Sequence, residues 1–139
     1  MIEQNHDWRY DLKVGQEGEN LISKLLRRNQ DNFTVECKLD TMAHRTGNFY
    51  FEYNSRGRKS GLNTTQADFY ALMTADQNFV MIVRTEKLKA ALHAWKQKCI
   101  DQNLPPEQTW KKRGGDNKTS IGLLIPINEL IQQILLQLR

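Results

Sequence analysis

Residues 33–54 contain two runs of period-two alternation, and that spacing fits only extended chain, whose side chains point to opposite faces in turn. In the first run Phe33, Val35, Cys37 and Leu39 make one face, and Thr34, Glu36, Lys38 and Asp40 make the other. In the second, Phe49, Phe51 and Tyr53 alternate with Tyr50, Glu52 and Asn54. The pattern predicts strands over 33–40 and 48–54, with a loop over 41–47 between them. If the two strands pair, Asp40 and Glu52 come together, because facing Cβ atoms in an antiparallel pair lie about 4.5–5.5 Å apart.

The rest of the chain divides by periodicity. Residues 15–29 read as a helix with Leu21, Ile22, Leu25 and Leu26 on one face, and Arg27 and Arg28 suiting its C-terminal dipole. Glu19 falls at the edge of that face, with Glu17 its rival. Asn63 or Thr64 is placed to cap a helix ending near Ala75. NFVMIVR, 78–84, is a nearly continuous apolar run and predicts an interior strand. Thr85 opens a helix through Cys99. Residues 101–118, with Pro105–Pro106 and Gly114–Gly115, read as a surface excursion, followed by a strand over 119–125. A final amphipathic helix carries Leu130, Ile131, Ile134, Leu135 and Leu138 on one stripe, expected to cover the sheet or form a dimer seam. The sum is one α/β domain over 1–139, with 1–14 as an N-terminal extension.

Composition narrows the class. Of 139 residues, 39% are hydrophobic and 26% charged, ordinary for a soluble globular chain. No apolar run approaches the ~20 residues needed to cross a bilayer, and the polar start MIEQNHDWRYD is unlike a signal peptide. Cys37 and Cys99 lack metal-type spacing and read as reduced thiols in a cytoplasm. The net charge of +4 is concentrated. Arg56, Arg58 and Lys59 share one Gly-containing loop, and Lys111, Lys112, Arg113 and Lys118 another. Long cations on loops suit a phosphate backbone, although solvated loops carry such charge too. The chain has no nucleophile elbow, no phosphate-binding P-loop and no zinc-type His/Cys pair.

Two carboxylates held together need protonation, a protein cation or a metal ion to offset their repulsion. Oxygen ligands with open positions suit Mg²⁺, which takes substrate phosphate as a further ligand. Such an ion stabilises in-line displacement at phosphorus. Asp40 equally suits a plain strand-ending turn, and Glu36 and Lys38 a solvated face. Glu52, among Phe49, Tyr50, Phe51 and Tyr53, is harder to place in solvent.

Gly15 and Glu19 in GQEGE, Lys38 and Asp40 in VECKLD, and Glu52 in TGNFYFEYN stand in an order similar to the PD-(D/E)XK nucleases. Within that superfamily the order resembles small phage-type, Holliday-junction-resolvase-like members. SGLNTTQADFY and SIGLLIPINELI extend the likeness, which covers residues 15–130. The resemblance implies a restriction-endonuclease-like three-layer fold with a central mixed sheet. It implies Mg²⁺-dependent hydrolysis of DNA phosphodiesters, with Mn²⁺ expected to substitute, and a homodimer acting on branched DNA in a host cytoplasm. Carried over by position, Glu19, Asp40 and Glu52 hold the metal. Asn54 stands where the family has its motif lysine, and Lys38 or Lys59 is the substitute. A second alignment uses Glu36-Cys37-Lys38, with Asp31 as the acid. His44 is near enough in sequence to reach DNA or water, and Trp110 to stack on a strand. The alternatives are a degenerate DNA-binding module of the same fold and a protein that keeps the fold alone.

Overall fold

The computed structural model describes residues 33–114 and 118–138, together with Gln16. The helix expected over 15–29, with Glu17 and Glu19, and the extension 1–14 lie outside the described residues. The described chain runs β1 (Val35–Asp40), α1 (Ala43–Thr46), β2 (Asn48–Ser55), β3 (Arg58–Lys59), a 3₁₀ turn (Gly61–Asn63) and β4 (Phe69–Thr74). It continues with β5 (Val80–Arg84), α2 (Thr85–Asp101), a 3₁₀ turn (Pro106–Gln108), β6 (Lys112–Gly114), β7 (Ser120–Pro126) and α3 (Ile127–Gln137).

The mixed α/β class is present, but the strands form two sheets rather than one. β1, β4 and β5 make a three-stranded sheet in that order, with β1 parallel to β4 and β5 antiparallel. β3, β2, β7 and β6 make a four-stranded antiparallel sheet. The expected pairing of β1 with β2 does not occur. Their partners are β4 and β7, and β1 and β2 meet only at a seam between the sheets.

One apolar core joins both sheets to the two long helices. It takes Phe49 and Phe51 from β2, Tyr70 and Leu72 from β4, and Leu123 and Ile125 from β7. From α2 come Leu88, Ala91, Leu92, Trp95 and Cys99, a helical spacing with every member buried. That helix ends where Asn103 turns left-handed (φ 54°) and Leu104 N–H bonds back to the Cys99 carbonyl at 2.9 Å. From α3 only Leu130 and Ile134 of the expected stripe enter the core, while Leu135 and Leu138 are exposed. The Trp95 indole N–H donates to the Leu124 carbonyl at 3.0 Å, and Lys98 pairs with Glu129 at 2.7 Å.

Several element assignments differ from the sequence reading: the 41–47 loop holds the single turn α1, the basic loop holds β3, and the 101–118 excursion holds β6, paired with β7. Residues 63–75 give a 3₁₀ turn and strand β4 rather than a helix. β4 lies between two strands and is buried along nearly all its length. A strand buried on both faces reads as unbroken apolar sequence, which periodicity does not separate from helix. β5, expected inside the sheet, is an edge strand, with Val80 and Ile82 more than a third exposed at 36% and 38%.

Candidate active site

The register of β1 turns its polar face toward the core side. Glu36 pairs with Tyr70, Lys38 with Leu72 and Asp40 with Thr74, and paired neighbours share a face. Tyr70, Leu72 and Thr74 are buried. Cys37, on the opposite face, is exposed. The three polar residues of β1 therefore emerge along the seam beside β2, with Glu36 exposed, Lys38 half-buried and Asp40 buried.

Asp40 closes one end of that seam. It is 8% exposed, and its carboxylate accepts three backbone N–H groups. Oδ1 takes Met42 N at 2.9 Å and Ala43 N at 3.0 Å, capping the single turn α1. Oδ2 takes Tyr50 N at 3.0 Å, across the gap to β2. Asp40 thus joins the two sheets through donors that a ladder would otherwise satisfy.

Glu36, Lys38 and Glu52 line a hollow of about 280 Å³ farther along the seam, with Phe51, Leu62 and Gly61. Gly61 walls it at close range. Its φ is +49°, and a Cβ there would lie 2.2 Å from the Glu52 carbonyl oxygen, so no other residue fits. The Lys38 ammonium sits 5.5 Å from the centre of the Phe51 ring. Burial pushes the Lys38 pKa below its ordinary value, against the pull of the Asp40, Glu52 and Glu36 charges. Those three carboxylates act on one amine, although none lies within ion-pairing distance of it. Among the described residues Lys98–Glu129 is the one ion pair.

A groove of about 550 Å³ adjoins the hollow, and Lys38 and Leu39 line both. Asp40, Met42, Tyr50, Lys112 and Arg113 line the groove as well. Tyr50 fixes its wall. Its hydroxyl bonds to the Lys112 carbonyl at 3.2 Å and to Ser120 Oγ at 2.9 Å. Its ring lies against Gly122 and Gly114, where an added Cβ would come within 2.4 and 2.9 Å. Burial raises the Tyr50 pKa, the Glu52 charge adds to the rise, and the Ser120 bond opposes it. Through this contact β2 holds β6, and β6 carries Lys112 and Arg113. Sequence reasoning gave Tyr50 no role and passed over Gly122. A glycine inside a strand, as in SIGLLI, is the signal of close approach that was present.

The remaining sequence candidates divide. Asn54 leaves the alternation of β2, because a bulge between Glu52 and Asn54 sets it opposite Ile121, on the Leu123 and Ile125 face. It therefore does not accompany Glu52. Arg56 and Gly57 both have positive φ and make the tight turn of the β2–β3 hairpin. Arg56, Arg58 and Lys59 are exposed there, and neither cavity includes them. Lys111 stands 4.8 Å from the Trp110 ring, as does Lys96. Lys118 is exposed, with φ 54°. His44 is exposed in α1. It faces Asp76, whose pKa is lowered mainly by the Thr74 and Asn78 hydrogen bonds, with the His44 charge a minor cause.

The hollow's two carboxylates, Glu36 and Glu52, are the kind of oxygen ligand a hard divalent cation requires, beside the Cys37 and Lys38 side chains that also line it. Glu36 and Glu52 accept no hydrogen bond from a described residue. Asp40 has three of its roughly four acceptor positions filled. Among the described residues no three His, Cys, Asp or Glu side chains are close enough together to form a metal cluster by themselves. No helix among the described residues is long and apolar enough to cross a membrane. No family model, no curated protein and no solved structure matches the chain.

Proposed function

We propose that this protein is a Mg²⁺-dependent DNA endonuclease related to the PD-(D/E)XK nucleases, a small phage-type enzyme acting on branched DNA in a host cytoplasm, as a homodimer. One observation carries the reading. Two carboxylates, Glu36 and Glu52, and a partly desolvated Lys38 line one hollow, and a groove lined by Asp40 and by β6 with Lys112 adjoins it. Such grouping of charge at a cleft is a mark of chemistry rather than of packing.

Glu52 and Glu36 would hold the ion, and Asp40, its carboxylate taken by three backbone N–H groups, would stand outside the ligand set. Mg²⁺, when bound, supplies Lewis-acid stabilisation of the phosphate and a more acidic water. Lys38 has the proton-binding role. Burial lowers the Lys38 pKa below that of a solvated lysine, which would make its amine the group that orients or deprotonates an attacking water. Lys38 takes the place that Asn54 leaves, and exposed Lys59 does not. Lys112 and Arg113 would grip the phosphates on either side.

A second reading keeps the DNA contact and drops the chemistry. It is favoured by the Asp40 carboxylate being largely occupied with backbone N–H groups, and by Asn54 facing away from Glu52. Nicking of supercoiled plasmid in Mg²⁺ against EDTA separates the two. Cleavage in Mg²⁺ alone supports the enzyme. Salt-dependent binding without cleavage supports the binding module.

A further inference from the structure

The groove beside the hollow has a use that the cleavage chemistry leaves unassigned. Its volume of about 550 Å³ lies in the range of sites that enclose a small molecule. Its lining is of two kinds: apolar surface from Leu39 and Leu124, beside Met42 whose Sδ accepts from Arg45 Nη2 at 3.0 Å, and a cation, Lys112, on the β6 face shared with Glu52 and Gly122. Tyr50, pinned by two hydrogen bonds and two glycines, keeps one wall rigid. Phosphate alone would use the cation and leave the apolar surface wet. A base stacked in a duplex reaches neither. An unpaired nucleotide presents an apolar ring and a phosphate together, matching both parts of the lining.

We infer that this groove holds one unpaired nucleotide of a DNA strand, its base against Leu39, Met42 and Leu124 and its phosphate at Lys112. Lys38 and Leu39 line both cavities, so the phosphodiester next to that nucleotide reaches the hollow of Glu36 and Glu52. The inference rests on the nucleic-acid part of the function proposed above. It names the substrate class as DNA with a locally unpaired nucleotide.

The test is binding in EDTA, so that cleavage does not enter. Fluorescence anisotropy compares two duplexes of one sequence, one fully paired and one with a single-nucleotide bulge bearing 2-aminopurine. Burial of one base predicts about tenfold tighter binding of the bulged duplex, and altered 2-aminopurine emission. Leu124→Ala and Met42→Ala, checked for folding by circular dichroism, are expected to reduce the preference to about twofold. If one variant fails to fold, the other decides. Equal affinity for the two duplexes, or a preference undiminished in a folded variant, overturns the inference. A preference without nicking leaves the inference standing and ends the nuclease reading. Nicking without a preference does the reverse.

Discussion

The sequence resemblance implies that Asp40 is a metal ligand, whereas the structure gives it a mechanical duty, and replacing it tests that duty. Its carboxylate receives Met42 N–H, Ala43 N–H and Tyr50 N–H at 2.9–3.0 Å while 8% exposed. Each hydrogen bond to a charged acceptor contributes about 1.5–3 kcal/mol. Asp40→Ala orphans all three donors. Partial rehydration at half-buried Met42 recovers some of the loss, so the expected cost is about 3–5 kcal/mol. Asp40→Asn keeps an oxygen for Met42 and Ala43 and turns an amide donor toward Tyr50 N–H, for a cost of about 2 kcal/mol. Either is a large share of the roughly 5–15 kcal/mol that holds a domain of this size folded. Urea denaturation followed by tryptophan fluorescence measures both, with the slope unchanged if the denatured state is unaffected. An Asp40→Ala midpoint equivalent to less than about 0.5 kcal/mol of destabilisation would refute the bridging role. Loss of activity in Asp40→Ala therefore does not identify a metal ligand unless folding is measured beside it.

Four further outcomes are expected. The folded-state pKa of Lys38 is lowered from 10.5, so the unfolded chain binds more protons in the window between the two values, and stability rises with pH across it. Lys38→Met should remove that rise, and an identical pH–stability curve for wild type and variant between neutral pH and 10.5 would show Lys38 to be solvated. Gly61→Ala should destabilise by about 1–3 kcal/mol from its positive φ alone, and more from the approach to Glu52, read as a shift in thermal midpoint. Phe51→Ala, at 1% exposure, should lose about 3–5 kcal/mol in urea, and should also loosen Lys38 by removing the ring beneath it. Arg113→Glu, exposed on edge strand β6, should leave the thermal midpoint unchanged and weaken DNA binding at low salt, with a shallower salt dependence.

The parts of the fold written in period two or 3.6 were legible. β1, β2 and β7 follow from alternation, and α2 from the spacing of Leu88, Leu92, Trp95 and Cys99. β4 was not legible, because FYALMT is apolar on both faces and loses its period. The pairing of β1 was not legible either. Alternation gives each strand two faces but names no partner, and a parallel β1–β4 ladder depends on chain brought from 34 residues away. That pairing decides which way Lys38 points. Read alone, Glu36, Lys38 and Asp40 look like a solvated face. Set beside Leu72 and Thr74, Lys38 becomes half-buried and Asp40 buried, while Glu36 stays exposed. Of the site residues, Lys38, Asp40 and Glu52 were visible as charges in strands. The tasks of Asp40 and Tyr50 were not, because both depend on backbone groups of distant elements.

The most direct measurement is nicking of supercoiled plasmid by Glu52→Gln beside wild type, in Mg²⁺ and in EDTA, with both thermal midpoints recorded. Glu52 accepts no hydrogen bond from a described residue, so the substitution is expected to change stability by less than about 0.5 kcal/mol. Metal-dependent nicking should fall at least about a hundredfold, the scale of losing one charge-stabilising group from an active site. Nicking by Glu52→Gln at the wild-type rate, or wild-type nicking that is the same in EDTA, would contradict the site.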